Sequence, residues 1–454
     1  MFLRATAFLL STIACLIISP NPLRAEDYRP ITPPAFYKQA LLNGMEILLL
    51  ASNDQRVPFV LMIKNGAAFD PIEKWGVTYL TSWMILEQSE TGTGLAVETG
   101  LRELEAEVDL RVEWDAIFFV GSTPSENLVE VLNLLAEMVV RPTFREEAFQ
   151  QLRNGVIQEL EARQNQLEIL TQEVFLAELF QANPYAHSVK GTTETLKNLS
   201  LADVKTQYRK LFLPNQTQLA FYFPGDRDGT VAALSRHWGS WIKKDSLPFT
   251  FRKAPPPNGR RVLFLDQPSA DSLFRWGNLS VERSSADYYA LKVFQQYLTL
   301  SLPSWASQIA SQRQIQASSE LESRRMPGYL QLSIQAPPEQ LMAYYHKFES
   351  FAKDLHDGHI DSQKFEEAKQ LAYLEMTDSL REPLAGLYRL LETSLYEVGI
   401  NFLTNYGLRL NRLTRDDFQE AVQKYVALDD FVLVVAGPAQ YLKSELDKIG
   451  PVLK

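Results

Sequence analysis

One local pattern occurs twice in this 454-residue chain, once near the middle and once close to the end. Residues 199–225 and 413–437 share an order of helical stretch, apolar run and glycine. Each copy starts with a hydroxyl side chain, Ser200 or Thr414, followed three residues later by Asp, which is the pattern of a helix capping box. An internal repeat constrains the architecture more than local propensity does. We therefore predict two domains of one design.

Strand and helix signals follow the same order in both halves. The segments expected to be strands are 46–51, 57–64 and 108–121 in the first half, and 262–266, 273–279, the region near Glu320 and 329–335 in the second. Apolar spacing predicts helices at 76–88, 97–107, 126–140, 287–300, 339–356 and 362–396, and at 144–181 as one long helix or two. Strands followed by runs of helices are typical of an α+β fold.

A proline-rich stretch separates the two halves. Consecutive prolines within 253–259 lack N–H donors and favour an extended polyproline conformation. We place the first repeat at 26–228, a linker at 229–259 and the second repeat at 260–454.

Composition and charge limit the classes of function. Apolar residues make up 46% of the chain and charged residues 22%, as in a packed globular protein. The formal net charge of -10 is spread over both halves without a basic stripe or an Arg-rich tail. Since phosphate binding needs clustered cations, we expect no nucleic-acid partner.

Residues 1–25 have the pattern of a secretory signal. Arg4 gives the positive start, residues 5–18 form an apolar run, and Ala25 is a small residue suited to cleavage. An uncleaved signal that anchors the chain to a membrane is the alternative, but the run is shorter than the ~20 residues that span a bilayer. Cys15, the one cysteine, lies inside the signal, so the mature chain would have no thiol for disulfides or metal binding. We expect a periplasmic protein.

Two stretches of the first half resemble the pitrilysin/insulinase peptidase family, which includes the mitochondrial processing peptidases. NGAAFDP at 65–71 with GVTYLTSWM at 76–84 is similar to the entrance of the family's active-site helix. NPYAHSVKGT at 183–192, running on to Gly225, is similar to the stretch after the family's zinc ligands. The second half has a weaker form of the same repeat, so the resemblance extends over nearly all of the mature chain. It implies two tandem homologous α+β repeats, each a mostly antiparallel sheet covered by helices, that enclose a chamber.

The resemblance also implies that a metal site has been lost. Active members carry His-x-x-Glu-His on one helix face, where the two His bind zinc and the Glu is the general base. Tyr79, Ser82 and Trp83 stand at these positions, so we expect an aromatic surface there, without catalytic residues, metal or cofactor. The family's third ligand is a Glu on a following helix. Glu159 matches it, but one carboxylate alone does not hold zinc, and Glu159 is otherwise an ordinary polar helix residue.

An edge strand is a candidate for peptide binding. Active relatives use such a strand to hold a peptide as an added strand, and the matching residues here are Val108, Asp109, Leu110 and Arg111. Strand pairing uses backbone groups, so peptide capture does not depend on the zinc ligands. A simple interior strand is the alternative.

The family's second repeat contributes an Arg and a Tyr that hold the substrate carbonyl and stabilise the transition-state charge. Alignment places Ser318 at the Tyr and Ser311 near the Arg. Arg313 lies close by, and a two-residue shift of the alignment would restore a cation. Arg313 therefore stays a candidate for peptide binding.

Three functions are consistent with these residues. An intact scaffold without zinc ligands favours a non-catalytic subunit that grips substrate or regulates a heteromeric peptidase, with a zinc-bearing homologue as partner and extended peptides or unfolded segments as ligands. The first alternative is a stand-alone periplasmic peptide-binding protein. The second is an active zinc metalloendopeptidase with relocated ligands, for which Glu87, Glu159, Glu161 and His187 would have to converge.

Overall fold

Two six-stranded sheets organise the protein in a computed structural model, which describes residues 28–88, 97–309 and 315–453. The strands of the first sheet are β1 Tyr37–Ala40, β2 Glu46–Ala51, β3 Arg56–Ile63, β4 Glu107–Val112, β5 Ile117–Pro124 and β6 Thr217–Phe223. Those of the second are β7 Arg260–Asp266, β8 Ser272–Leu279, β9 Gln316–Leu321, β10 Tyr329–Ala336, β11 Phe431–Gly437 and β12 Val452–Leu453. The strand order is β1-β2-β6-β3-β5-β4 in the first sheet and β12-β7-β11-β8-β10-β9 in the second.

Helices cover both sheets. In the first half they are α1 Val77–Gln88, α2 Val97–Glu103, α3 Leu128–Val140, α4 Glu146–Arg163, α5 Leu167–Phe180, α6 Thr193–Lys197, α7 Leu201–Leu211 and α8 Arg227–Trp238. In the second half they are α9 Tyr288–Ile309, α10 Pro338–His356, α11 Ser362–Arg381, α12 Pro383–Leu395, α13 Asn401–Thr404, α14 Tyr406–Arg412, α15 Arg415–Tyr425 and α16 Ala439–Ile449.

The two sheets repeat one topology. Strands β2, β6, β3, β5 and β4 correspond in order to β7, β11, β8, β10 and β9. In both sheets the first two of these strands are parallel and the others pair antiparallel; Val60 faces Val120 in the first sheet, and Phe274 faces Ile334 in the second. The sheets differ at one edge, where β1 is antiparallel to β2 and β12 is parallel to β7. The predicted α+β fold of two tandem repeats with mostly antiparallel sheets is confirmed.

The capping boxes predicted from the repeat are present in both copies. At the start of α7, Asp203 N donates to Ser200 Oγ over 3.4 Å and Ser200 N donates to the Asp203 carboxylate over 3.0 Å. At the start of α15 the same two bonds join Thr414 and Asp417, at 3.1 and 2.9 Å. Each box gives partners to backbone donors that the first helical turn leaves without one, so both helices begin at a defined residue.

Three segments divide more finely than the sequence indicated. Residues 108–121, expected as one strand segment, belong to the hairpin of β4 and β5. The helical stretch 144–181 forms α4 and α5, and the stretch 362–396 forms α11 and α12. The last break falls at Pro383, which has no N–H to continue the hydrogen bonds of α11 and instead starts α12 with Glu382 as its N-cap.

One helix from each repeat packs on the sheet of the other. α5 of the first repeat lies on β8 and β11, and α12 of the second repeat lies on β3 and β6. Phe175 of α5 is fully buried, and a Cβ atom at Gly277 of β8 would fall 2.6 Å from its ring. The repeats are therefore joined by an exchange of helices as well as by the chain connection.

The connection between the repeats begins with a helix. α8 fills the first part of the range 229–259 that we expected to be a linker, and its Trp238 is fully buried in the core of the first repeat. An extended segment follows, in which Phe249 and Phe251 pack on Phe69 with ring centroids 5.9 and 5.0 Å away.

The first residues of the described chain lie against the second repeat. Tyr28 is buried there, and its carbonyl accepts from Asn411 Nδ2 at 2.8 Å. Ile31 N donates to the Thr404 carbonyl at 3.0 Å. The chain thus contacts α13 and α14 before it enters β1 of the first sheet.

The proposed signal at 1–25, with Cys15, lies outside the described residues. Of the helices within the described ranges, none combines the length and the apolar character needed to cross a bilayer. Export therefore rests on the sequence pattern alone.

Candidate functional site

Asp70 holds the N-terminus of α1, the helix on which we predicted the altered zinc motif. Its carboxylate accepts from Gly76 N at 2.8 Å, from Thr78 N at 3.1 Å and from Thr78 Oγ1 at 2.5 Å. Gly76 has φ +92°, and a Cβ atom there would lie 2.5 Å from the Lys190 carbonyl, so the turn requires glycine. These contacts fix α1 beside α4, α7 and β4.

The three side chains at the motif positions belong to the packing of the first repeat. Ser82 is fully buried, and its hydroxyl donates to the Thr78 carbonyl at 2.8 Å. Tyr79 and Trp83 are half-buried, with ring centroids 6.1 Å apart and planes at 51°. Burial, aided by the charge of Glu159, raises the pKa of the Tyr79 hydroxyl well above its usual range. A neutral aromatic pair therefore covers this face of α1, where we expected an aromatic surface.

Glu159, which we expected to match the family's third ligand, lies on α4 and is held by two cations. Its Oε1 accepts from Lys190 Nζ at 2.7 Å and from Arg163 at 3.2 Å. The Lys190 ammonium also lies 5.5 Å from the centre of the Tyr79 ring. Burial works against the charged carboxylate, but Lys190 and Arg163 together hold the pKa of Glu159 below its usual range. The positive charge beside Glu159 is thus supplied by the protein's own side chains.

The side chains at the motif positions do not fit a zinc site. Tyr79 offers a neutral phenol, Ser82 a hydroxyl that is already hydrogen-bonded, and Trp83 an indole N–H that can only donate. Across residues 28–88, 97–309 and 315–453, no group of three or more His, Cys, Asp and Glu side chains is arranged to hold a metal ion.

The residues that a relocated zinc site would need make other contacts or lie at the surface. Glu161 accepts from Lys197 Nζ at 3.4 Å. His187 stacks on Trp75 with ring centroids 5.2 Å apart. Glu87 is exposed near the end of α1. Within the described chain, these residues form no metal-binding group with Glu159.

Strand β4 is the outer edge of the first sheet. Among the described strands, β5 alone pairs with it, so its other edge carries no strand. Leu110 is buried and Val108 half-buried, whereas Asp109 and Arg111 are exposed. This alternation is typical of a strand with one face in the core and one face free, and β4 is not the interior strand that we considered as the alternative.

The edge of β4 lies at the boundary between the repeats. The Arg111 guanidinium is 5.1 Å from the ring centre of Tyr388 on α12, and Phe118 of β5 lies 5.1 Å from the same ring. Burial raises the pKa values of the Tyr388 and Tyr79 hydroxyls, and the negative charge of Asp109 adds to both shifts. β4 is therefore placed between α1 of the first repeat and α12 of the second.

A buried polar network fixes the turn after β4 to the second repeat. Glu113 accepts from Arg324 at 2.8 Å. Asp115 is fully buried, and its carboxylate accepts from the Tyr185 hydroxyl at 2.5 Å and from Arg325 N at 3.2 Å. Burial raises the pKa of Asp115, although Arg324 and these hydrogen bonds favour its charged form. The turn that follows β4 is thus fixed by hydrogen bonds to the second repeat, next to the free edge of the strand.

The residues expected from the second repeat are only partly described. Arg313 and Ser311 lie outside the described residues. Ser318 lies on β9, opposite Ser333 of β10. β9 holds the same outermost position in the second sheet that β4 holds in the first.

Two residues near the motif were not singled out from the sequence. Lys190 lies inside the family-like stretch 183–192, and this stretch is the signal that could have identified it. No local signal marks Tyr388, because its contacts with Arg111 arise only when α12 packs on the first sheet.

Family models match most of the chain. The model described as insulinase, peptidase family M16, matches residues 47–193. The model described as the peptidase M16 inactive domain matches residues 198–372. Together the two matched ranges cover more than two thirds of the sequence.

Curated relatives are similar over part of the chain. A probable mitochondrial-processing peptidase subunit beta from Arabidopsis thaliana is 20% identical over 195 residues, which are 42% of this chain and 37% of that protein. Cytochrome b-c1 complex subunit 1 from Bos taurus is 23% identical over 201 residues, 42% of this chain and 41% of that protein. An uncharacterized zinc protease from Rickettsia felis is 20% identical over 206 residues, 44% of this chain and 49% of that protein. The chain thus matches less than half the length of these relatives.

Solved structures share the fold over almost the whole length. A protease from Helicobacter pylori has a TM-score of 0.81 at 16% identity, covering 89% of this chain and 100% of that chain. A peptidase M16 inactive domain from Pseudomonas fluorescens has a TM-score of 0.77 at 20% identity, covering 89% and 98%. The resemblance noted in the sequence is confirmed. With family models matching residues 47–193 and 198–372, this chain belongs to the insulinase peptidases of family M16.

Proposed function

We propose that this protein is a non-catalytic subunit that grips substrate for a zinc-bearing homologue or regulates it. One observation carries the proposal. The two-repeat scaffold is complete, whereas the three motif positions of α1 hold Tyr79, Ser82 and Trp83. Family hydrolysis needs a metal-bound water and a general base, and none of these side chains supplies either function. We therefore infer that this protein uses neither a catalytic metal nor a cofactor.

The names of two relatives support a heteromeric role. One relative is subunit beta of a processing peptidase, and another is subunit 1 of the cytochrome b-c1 complex. For this chain we infer a partner from the same family with an intact His-x-x-Glu-His motif. The ligands of the complex would be extended peptides or unfolded segments, and the signal at 1–25 would direct the subunit to the periplasm.

Affinity purification from the native host tests this proposal. The mature chain carries a tag, the complex is isolated gently from the periplasm, and bound proteins are identified by mass spectrometry. We expect a near-equimolar homologue with an intact motif. We also expect the chain alone to cleave no peptide and to raise the hydrolysis rate of that homologue. An unrelated exported protein with the same tag is the control, and recovery of the chain without any homologue would contradict the proposal.

A stand-alone peptide-binding protein is the second candidate, and the free edge of β4 favours it. A captured strand pairs through alternate backbone amides. The test uses a blocked extended peptide and two versions of it, N-methylated at the even or at the odd positions. This candidate predicts that the purified monomer binds the peptide and that only one methylation frame abolishes binding. If the purified monomer does not bind the peptide, the stand-alone function is contradicted and only the subunit role remains proposed.

A further inference from the structure

Residues 28–31 lie in a groove of the second repeat, although the next strand of the chain, β1, belongs to the first sheet. Side chains and backbone of α11, α13 and α14 form the groove. Tyr28 is 1% exposed and Ile31 7% exposed, whereas Arg29 and Pro30 between them are exposed. The groove therefore covers the first and fourth side chains of this segment and leaves the middle two in water.

Three hydrogen bonds hold the main chain of the four-residue segment. The carbonyl of its first residue accepts from Asn411 Nδ2 at 2.8 Å, and the carbonyl of its second residue accepts from the Tyr373 hydroxyl at a longer 3.4 Å. The N–H of its fourth residue donates to the Thr404 carbonyl at 3.0 Å. The third residue, Pro30, has no N–H that needs a partner. Main-chain bonds give affinity for a peptide, and side-chain pockets give the specificity.

Side chains of α11 enclose Tyr28. Its ring lies 5.2 Å from the ring of Tyr373, and the Lys369 ammonium is 5.9 Å from its centre. The Tyr28 hydroxyl donates to the Glu366 carbonyl at 3.3 Å. The Lys369 side chain is only 3% exposed, so the Tyr28 ring lies over a cation that is almost removed from water. This end of the groove therefore fits an aromatic side chain.

Gly407 of α14 makes room for the segment. A Cβ atom at this position would lie 2.4 Å from the Arg29 carbonyl oxygen and 2.9 Å from the Tyr373 ring. Glycine weakens the interior of a helix, and Gly407 is buried within α14. The close approach of the segment gives a physical reason for glycine at this position.

We propose that this groove is a peptide-binding site and that residues 28–31 occupy it as a tethered ligand. The site selects an aromatic residue followed three positions later by an aliphatic residue, and main-chain bonds fix the peptide between them. Residues 32–36, which lead to β1, form neither helix nor strand and are partly or fully exposed, so the ligand is joined to the first sheet by a short connection. The inference depends neither on the proposed subunit role nor on strand capture at β4.

Cutting the connection in the folded protein tests the inference. A protease recognition sequence is inserted between Thr32 and Pro33 of the mature chain, the folded protein is cut, and dialysis removes the N-terminal fragment. Fluorescence anisotropy then measures binding of a labelled peptide of residues 28–34. We expect one peptide per cut chain. Binding to the uncut chain should be at least about tenfold weaker, because the tethered segment competes at the millimolar effective concentration of a short linker.

Peptide variants distinguish a specific site from general apolar adhesion. In the peptide, Tyr28→Ala and Ile31→Ala should each weaken binding to the cut chain by about tenfold or more, because each removes a buried side chain. Arg29→Ala is the control and should bind as the unchanged peptide does, since this side chain is exposed. No binding to the cut chain, equal binding to cut and uncut chains, or no effect of Tyr28→Ala and Ile31→Ala would overturn the proposal.

A pair of glycine variants locates the site on the protein. In the cut chain, Gly407→Ala should weaken peptide binding by about tenfold or more, because the added Cβ would meet the peptide main chain. Gly155→Ala is the control, at a glycine of α4 where a Cβ atom would meet no atom within 4 Å. Asn411→Asp replaces the donor of one main-chain bond and should weaken binding even where Gly407→Ala does not fold. Circular dichroism melting checks folding, and unchanged affinity in the folded groove variants would overturn the proposal.

Size-exclusion chromatography of the uncut chain identifies which copy supplies the segment. A tethered ligand predicts that the purified chain is a monomer before and after cutting. A dimer that dissociates on cutting would show that a second copy supplies the segment, and would overturn the tethered arrangement.

Discussion

Ser82 has no exposed surface, and its hydroxyl is already bonded to the preceding turn of α1. We predicted that this position corresponds to the general-base Glu of the family's zinc motif. Lys190, whose ammonium lies 5.5 Å from the ring centre of Tyr79, is already paired with Glu159. At the residue scale, Ser82 is part of the core of the first repeat.

This packing predicts opposite tolerances for two substitutions. Ser82→Glu should lower the free energy of unfolding by about 3 kcal/mol or more, because it buries an unpaired charge. Ser82→Ala loses only one hydrogen bond and should cost about 1 kcal/mol. Urea unfolding measures both values. Similar costs for the two variants would contradict the buried position of residue 82.

His187 should make stability depend on pH. Its ring is buried, and burial lowers its pKa below the ordinary value of 6.5. Below about pH 6.5 the unfolded chain binds a proton that the native chain does not, so the free energy of unfolding decreases as the pH falls toward the native pKa. His187→Gln should reduce the loss of stability between about pH 7 and pH 5. His237→Gln, on the exposed face of α8, should leave it unchanged. If the free energy of unfolding changed with pH in the same way in His187→Gln and in the unchanged protein, His187 would not be the cause of the pH dependence.

At the element scale, the exchanged helices α5 and α12 join the two repeats. Phe175 on α5 is fully buried and packs on Tyr329 of β10, with ring centroids 6.1 Å apart. Arg275 of β8 donates to Glu168 on the same helix at 2.8 Å. Removing the ring of Phe175 therefore loosens one repeat from the other.

We expect Phe175→Ala to lower the free energy of unfolding by roughly 3–5 kcal/mol, as for other large core deletions. Phe36→Ala is the matched control, since Phe36 is 37% exposed and should cost much less. Denaturant unfolding gives the free energy of unfolding of each variant. Limited proteolysis in the extended connection that follows Trp238 reports opening between the repeats. Equal costs would show that α5 does not hold the repeats together.

Local features of the fold could be predicted from the sequence, and long-range ones could not. The capping boxes at Ser200 and Thr414 and the strand at 46–51 depend on neighbouring residues and agree with the structure. The break at Pro383 was missed because apolar spacing continues on both sides of it. The packing of α5 on the second sheet depends on tertiary contacts, which spacing along the chain does not encode.

The same limit applies to the candidate site. The expectation that Tyr79, Ser82 and Trp83 occupy the motif positions depends on spacing along the chain, and the structure places all three on one helix. The ion pair of Lys190 with Glu159 and the contact of Arg111 with Tyr388 join distant segments, and only the folded chain brings them together.

At the scale of the whole molecule, we expect the two repeats to fold as one unit. Each sheet is covered partly by a helix of the other repeat, and the segment at Tyr28 and Ile31 binds the second repeat before the chain enters the first. A separated half would expose the apolar surface that this exchange buries.

Halves cut in the extended connection should therefore not fold alone. Residues 28–241 and 260–453, produced separately, are expected to lack a near-ultraviolet circular dichroism signal, while co-expression should restore it. The intact mature chain is the control. Two independently folded halves with cooperative melting would contradict the single-unit description.

The central claim is that the scaffold persists without a zinc site, and metal content tests it most directly. The mature chain is purified without chelators, incubated with excess zinc, desalted and analysed by inductively coupled plasma mass spectrometry. A homologue with an intact His-x-x-Glu-His motif is treated in the same way as the positive control. Our account predicts far less than one zinc per chain for this protein and one for the homologue. One tightly held zinc per chain, retained through desalting, would contradict it.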